Sequence, residues 1–369
     1  MPRTLMKGCE AIGEAAIRAG CKLFFGYPIT PQNEIPEYLS RRLPQVGGTF
    51  VQAESEVAAS NMVYGAAAGG ERVFTSSSSP GISLMQEAIS YMAGAELPVV
   101  LVNIMRAGPG LGGILPGQAD YFQATKGGGH GDYRLLVLAP WSVQEAADLV
   151  QDAFDLADHY RNPVMILGDG LIGQIMEPIE FASDRKPCRP LPPKGWATTG
   201  CAGDRPPNII TSLFLDPEPL AAHNERLQAK YAAMVRNEVR VSGRGLDEPY
   251  DVLVIAYGTV ARACNMAITQ LRASGVRAAL LRPISLFPFP AAAVRAAAER
   301  ADAVLVVELS AGQMVEDVRA AVGDACPVHF HGRTGGLMIP AEEVADTVRA
   351  LAAGGRLPAR AAEHEVVDA

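Results

Sequence analysis

Residues 72–104 read RVFTSSSSPGISLMQEAISYMAGAELPVVLVNI, and this stretch decides the fold. Arg72 to Thr75 and Pro98 to Ile104 are short apolar runs of strand length. Gly81 to Ala93 between them carries helical periodicity. Two apolar strands joined by a helix form a β-α-β unit, whose strands must run parallel. Near-continuous apolar strands of this kind belong to a sheet covered by helices on both faces. The small polar run Ser76–Ser79 leads into Pro80, so Ser79 is expected as the helix N-cap and Pro80 as its first residue.

The same alternation extends in both directions. Upstream, Gly8–Gly20 reads as a helix, Lys22–Gly26 as a strand, Gln32–Arg42 as a helix opened by Pro31, Thr49–Gln52 as a strand and Glu56–Ala68 as a helix. Downstream, Arg134–Leu138 and Pro163–Leu167 read as strands flanking a helix over Ser142–His159. From Glu177 to Pro249 the pattern lapses into proline-rich sequence, interrupted by one amphipathic helix over about Pro219–Val239. A segment this long reads as an interface arm, a mobile cover or a simple tether. Alternation resumes at Tyr250 with strands over residues 251–258, Arg277–Leu281, Ala303–Val307 and Val328–His331, and ends in a helix over Ala341–Ala353. The expected division is a parallel-sheet domain over residues 1–180, a linker with one helix over 181–249, a smaller α/β domain over 250–356 and a polar tail over 357–369.

Composition narrows the function classes. Of 369 residues, 49% are hydrophobic and 20% charged, which suits a well-buried enzyme and excludes a disordered chain. A net charge of -8 argues against general nucleic-acid binding, because no basic stripe is available to displace counterions. The six cysteines are scattered without a C-x-x-C pair, a spacing that supports neither an iron–sulfur nor a zinc site. Unpaired cysteines in an apolar chain fit a reducing compartment. No signal-peptide core and no run of about 18 apolar residues is present, so a cytoplasmic, membrane-free protein is expected.

Two glycine signals need weighing. Gly108–Gly113 contains a G-x-G-x-x-G match after a strand, but Pro116 and Gly117 break the helix that a dinucleotide fold would need there. A loop at the carboxyl end of a strand is the better reading, and open α/β sheets build active sites at such ends. Gly168-Asp169-Gly170 has the start of a thiamine-diphosphate metal motif, yet the stretch some 25 residues on, Lys194–Gly200, holds no asparagine. Asp169 is therefore read as part of a strand-end turn, and no metal ligands are assigned to this chain.

Several segments together resemble the 2-oxoacid:ferredoxin oxidoreductase family: residues 26–39 (GYPITPQNEIPEYL), 52–67 (QAESEVAASNMVYGAA), 75–103, 106–113 (RAGPGLGG) and 127–140 (GGGHGDYRLLVLAP). The similarity runs from Met6 to Pro178. Residues 250–356 resemble the transketolase-C-terminal-type domain of the same subunits. Of the family's branches, the chain is most similar to the subunit of enzymes for branched-chain 2-oxoacids (3-methyl-2-oxobutanoate). The resemblance implies a thiamine-pyrimidine-binding domain followed by a smaller transketolase-C-terminal-like domain. It implies an α-type chain that grips the aminopyrimidine of thiamine diphosphate. A β-type partner would hold the diphosphate and Mg2+, and γ-type and ferredoxin-type partners would complete the complex, with 4Fe-4S clusters outside this chain. The implied reaction takes a 2-oxoacid, coenzyme A and oxidised ferredoxin to acyl-CoA, CO2 and reduced ferredoxin. A 2-oxoglutarate enzyme, a transketolase-like carboligase and a bracing subunit without chemistry are the rival readings.

Residue by residue, Glu56 matches the family glutamate that bonds the pyrimidine N1′, with Glu54 as the neighbouring competitor. Either carboxylate would also suit the first turn of a helix. Tyr27 and Pro28 fall in the matching cofactor-side loop. Arg106 matches the arginine for the substrate carboxylate, a role its planar fork suits; a structural ion pair is the plainer alternative. Thr30 matches a substrate-touching threonine, against ordinary turn chemistry. His130 and Asp132 are expected near the pocket without an assigned role. Lys126 and Arg134 are the other cations to be considered there.

Overall fold

A computed structural model describes residues 3–354. In chain order its elements are β1 (Thr4–Lys7), α1 (Gly8–Arg18), β2 (Leu23–Gly26), α2 (Glu34–Gln45), β3 (Thr49–Gln52), α3 (Glu56–Ala68), β4 (Val73–Ser77), α4 (Ser79–Gly94), β5 (Val100–Met105), α5 (Tyr121–Thr125), β6 (Leu136–Leu138), α6 (Val143–Tyr160), β7 (Val164–Asp169), α7 (Gly170–Gln174) and β8 (Met176–Ile179). There follow α8 (Pro217–Asn237), β9 (Val241–Arg244), β10 (Val252–Ile255), α9 (Gly258–Ala273), β11 (Ala278–Pro283), β12 (Ser285–Phe287), α10 (Ala291–Ala298), β13 (Ala303–Glu308), α11 (Met314–Val322), β14 (Val328–Gly332) and α12 (Ala341–Ala352). The expected tail, residues 357–369, lies outside the described residues, as do residues 355–356.

The first sheet has seven strands in the order β12-β6-β7-β5-β4-β2-β3, parallel except for β12. The second has five, β14-β13-β10-β11-β9, parallel except for β9. The central strands β4, β5, β7 and β10 are buried along their whole length. That is why β10 and most of β5 and β7 read as apolar runs rather than as alternation, while β4 turns polar at its carboxyl end. One apolar cluster is continuous between the two sheets. It includes Leu101, Leu167 and Tyr121 from the first unit and Tyr257, Leu281 and Val306 from the second.

The antiparallel edge strands of the two large sheets come from outside the run of sequence that builds each sheet, and β1 and β8 form a separate two-stranded antiparallel sheet. β12 leaves the second sheet's sequence to pair with β6 of the first. β9 comes from the proline-rich stretch and pairs with β11 of the second. Within that stretch α8 buries Leu227, Tyr231 and Met234 against the first unit, and Tyr160 Oη donates to Glu238 just beyond its end. Among the described residues no helix is long and apolar enough to cross a membrane.

Two local expectations need correction. Pro31 does not open a helix: α2 begins at Glu34. The buried Gln32 side chain donates to the Tyr27 carbonyl and accepts from Ser76 Oγ, so residues 29–32 close a turn first. Ser79 is not the N-cap of α4 but its first residue, and the extended Ser78 takes the cap position. The Ser79 amide is satisfied by Asn103 Oδ1 at 3.1 Å, which frees the Ser79 hydroxyl for another role.

Candidate active site

The parallel strands β2, β3, β4, β5 and β7 end on one edge of the first sheet. Their carboxyl ends deliver Tyr27–Thr30, Ala53–Glu56, Ser77–Ser79, Arg106 and Asp169 to that edge. Crevices at such ends are the ligand sites of open α/β sheets.

Glu56 is the first residue of α3, behind an N-cap in which Ser55 Oγ accepts from the Ala58 amide at 3.1 Å. It is 5% exposed, and its carboxylate makes no hydrogen bond or ion pair among the described residues. Glu54 is exposed. The start of α4 presses against Glu56. A Cβ placed on Gly81 would stand 2.0 Å from Ser77 Oγ and 2.6 Å from Glu56 Oε1. Beside this contact the hydroxyls of Thr75, Ser77 and Ser78 are buried without a partner. Buried polar groups are ordinarily hydrogen-bonded. A carboxylate and three hydroxyls left unsatisfied together therefore suit a small polar ring inserted from outside the chain. The aminopyrimidine of thiamine fits that description, with a ring nitrogen for Glu56 and an amino group for a hydroxyl or carbonyl.

Arg106 follows the last residue of β5 and is 8% exposed. Its Nη1 donates to the Thr30 carbonyl at 2.9 Å and its Nη2 to the Leu111 carbonyl at 2.8 Å. Its Nε is buried without a partner, and the guanidinium forms no salt bridge among the described residues. The ion-pair alternative thus finds no carboxylate within salt-bridge distance among the described residues, although Asp120 lies near enough to feel the Arg106 charge. Thr30 Oγ1 accepts from Asn33 Nδ2 at 3.2 Å, so its hydroxyl proton is free. Tyr27 is half-buried and its carbonyl accepts from Gln32, while Pro28 is exposed beside Asn33, Pro36 and Phe50.

A cavity of about 440 Å3 opens from Arg106 and the glycine loop toward the second unit. Ser79, Asp120, Ser310, Gln313 and Thr334 line it. Among the described residues that line it, Arg106 is the one cation. Lys126 is paired with Asp317, and Arg134 lies over the Phe287 ring, so neither reaches this cavity. His130 and Asp132 line a different hollow, with Tyr91, Phe214 and His223. Sequence reasoning missed Asp120, Asn103 and Ser79 as neighbours of Arg106, and it missed every second-unit residue here. No periodicity or motif marks them.

Asp169 is fully committed to its own chain. Oδ1 accepts from the Leu171 and Ile172 amides and from Thr259 Oγ1, and Oδ2 accepts from the Thr259 amide. Burial raises its carboxyl above the ordinary range, against these hydrogen bonds. It caps α7 and ties two units together, in keeping with the strand-end reading.

Comparison with known proteins bears on this arrangement. Residues 14–234 match the family described as pyruvate flavodoxin/ferredoxin oxidoreductase, thiamine diphosphate-binding, and residues 250–344 match the pyruvate:ferredoxin oxidoreductase core domain II. The chain is 50% identical to the ketoisovalerate oxidoreductase subunit VorB of Methanothermobacter marburgensis, over 95% of this chain and 99% of that one. It is 36% identical to the 2-oxoglutarate synthase subunit KorA of Methanothermobacter thermautotrophicus, over 93% and 97%. Among solved structures it superposes on the 2-oxoglutarate:ferredoxin oxidoreductase from Magnetococcus marinus with a TM-score of 0.86 and 28% identity, covering 95% of this chain and 65% of that one. From its thiamine-diphosphate-binding domain to its second α/β domain, the chain belongs to the 2-oxoacid:ferredoxin oxidoreductase family.

Proposed function

We propose that this chain is the α-type, pyrimidine-side subunit of an oxidoreductase that converts branched-chain 2-oxoacids, typified by 3-methyl-2-oxobutanoate, to acyl-CoA. Each turnover consumes one 2-oxoacid, one coenzyme A and two oxidised ferredoxins. It yields acyl-CoA, CO2, two reduced ferredoxins and a proton. The observation that carries this reading is the buried, unpartnered Glu56 carboxylate facing Gly81 at the sheet's carboxyl edge.

Bound thiamine diphosphate supplies the sink for the electron pair that decarboxylation leaves behind. Glu56 holds a proton at N1′ of the pyrimidine, and burial strengthens that bond by excluding water. Arg106 takes the substrate carboxylate on its unpartnered Nε and remaining N–H groups, with its geometry fixed by the Thr30 and Leu111 carbonyls. Thr30 offers its hydroxyl proton alongside. Tyr27 and Pro28 wall the cofactor side of the loop. Because Asp169 is spent on the chain's own backbone and Thr259, the diphosphate and Mg2+ are assigned to a β-type partner. The 4Fe-4S clusters are assigned to γ-type or ferredoxin-type partners, and the assembled complex to the cytoplasm.

Two features support a branched apolar substrate over 2-oxoglutarate. Identity is higher to the ketoisovalerate relative than to the 2-oxoglutarate relative, 50% against 36%. The cavity at Arg106 also lacks the second cation that a distal carboxylate would need among its described lining. The test is CoA-dependent ferredoxin reduction by the assembled complex across a panel of 2-oxoacids. The expected outcome is a higher kcat/KM for 3-methyl-2-oxobutanoate and its branched relatives than for 2-oxoglutarate. A preference for 2-oxoglutarate would overturn the substrate, and carbon transfer without ferredoxin reduction would overturn the reaction.

A further inference from the structure

Arg106 does not stand alone at the end of β5; its backbone is held by a closed polar ring. The Arg106 amide donates to Ser79 Oγ at 3.0 Å, and Ser79 Oγ donates to Asp120 Oδ2 at 2.6 Å. Asn103 Nδ2 donates to the same Asp120 oxygen at 2.9 Å, while Asn103 Oδ1 accepts from the Ser79 amide at 3.1 Å. A hydroxyl has one proton and two lone pairs. With that proton given to Asp120, Ser79 can only present a lone pair to the Arg106 amide. Without Asp120 the hydroxyl is free to turn its proton toward the Arg106 carbonyl, 3.4 Å away, and its lone pairs are no longer held on the Arg106 amide.

Asp120 is itself set by the second unit. Gln118 exchanges hydrogen bonds with the amide and carbonyl of Leu309 and donates to the Tyr257 carbonyl at 2.9 Å. Gln313 donates to the Ala119 carbonyl at 2.7 Å and accepts from the Phe122 amide at 2.8 Å. The three residues around Asp120 are thus clamped by the loops after β10 and β13, and Asp120 projects from that clamp into the cavity beside Arg106.

We propose that Asp120 is a positioning residue for substrate binding, which through Ser79 fixes the backbone that aims Arg106 and so makes the anchor depend on docking of the second unit. The proposal rests on the reading of Arg106 as carboxylate anchor. Electrostatics agree with the geometry. Burial raises the Asp120 carboxyl, and the hydrogen bonds from Ser79 and Asn103 and the nearby Arg106 charge pull it back. Removing Asp120 would take away the acceptor that orients Ser79 and Asn103.

The experiment is steady-state kinetics of the assembled complex carrying Asp120→Ala, Asp120→Asn, Ser79→Ala or Arg106→Ala. Loss of a hydrogen bond to a charged group predicts a KM for the 2-oxoacid raised roughly tenfold or more in Asp120→Ala. The KM for coenzyme A should stay unchanged and kcat within about twofold, the signature of lost uniform binding. Asp120→Asn keeps an acceptor for the Ser79 proton and should recover most of the loss. Ser79→Ala should copy Asp120→Ala, and the double variant should be no worse than either single one. If Asp120→Ala does not assemble, Ser79→Ala carries the decision alone. An unchanged 2-oxoacid KM in Ser79→Ala, or KM values for both substrates rising together, would overturn the relay. If Arg106→Ala itself leaves the 2-oxoacid KM unchanged, the anchor reading fails and the relay with it. A raised KM in Arg106→Ala with unchanged KM in the Asp120 and Ser79 variants sinks the relay alone.

Discussion

Thr259 Oγ1 donates a 2.6 Å hydrogen bond to Asp169 Oδ1 and joins the end of β7 to the first turn of α9, 90 residues later in the chain. The Thr259 amide adds a second bond, to Oδ2. One carboxylate thereby caps α7 and locks the two α/β units together.

Asp169→Ala leaves up to four buried donors without an acceptor, so it should lower stability by about 3 kcal/mol, read as a drop in thermal midpoint. The pH dependence has a definite sign. Burial raises the folded-state carboxyl of Asp169 above its unfolded value of about 3.9. The contribution of this group is therefore fully present below that unfolded value and is lost as pH rises through the folded one. Relative to Asp169→Asn, which cannot ionise, the native chain should lose thermal stability as pH is raised from about 4. A difference that grows in the native chain's favour with rising pH would refute the assignment.

Glu56→Gln keeps the size of the side chain and removes its charge. Turnover of the assembled complex should fall by roughly two orders of magnitude, the range of lost acid–base catalysis, with slower exchange of the thiamine C2 proton by NMR. Gly81→Ala should act on the same group without touching its chemistry. The added Cβ would stand too close to both Ser77 Oγ and the Glu56 side chain, so both contacts must be relieved and turnover should fall. Overpacking costs about 1–3 kcal/mol, which a domain of this size tolerates. A folded Gly81→Ala complex with native turnover would show that the position of Glu56 does not matter.

Arg106→Lys replaces a planar fork with a point charge that cannot bond the Thr30 and Leu111 carbonyls and a carboxylate in the same geometry. Every 2-oxoacid presents the same carboxylate, so kcat/KM should fall by a similar factor for branched-chain acids, pyruvate and 2-oxoglutarate. A loss confined to dicarboxylates would make Arg106 a reader of the distal end instead.

The β-α-β order was legible because burial on both faces writes much of each central strand as an apolar run. Glu56–Ala68 was read to the residue, since Ser55 caps it and Glu56 opens it. Glu56, Thr30 and Arg106 were singled out by the family resemblance of their segments, and the strand order explains why segments so far apart share one edge of the sheet. The edge strands β9 and β12 were not legible. Each is three or four residues long; β12 gains its partner only by crossing to the first unit's sheet, and β9 comes from the proline-rich stretch where no alternation marks a strand. The start of α2 was misjudged at Pro31, because the side chain of Gln32 is drawn inward by Tyr27 and Ser76, which lie elsewhere in the sequence.

The sequence by itself determined which residue types stand at the ends of the strands, because periodicity and caps are local. Only the tertiary structure decided their company: Gly81 against Glu56, Asp120 behind Ser79, and Thr259 on Asp169. The physical reason is that a polar side chain takes its state from the partners that burial forces on it, and those partners come from distant segments brought together only when both sheets pack.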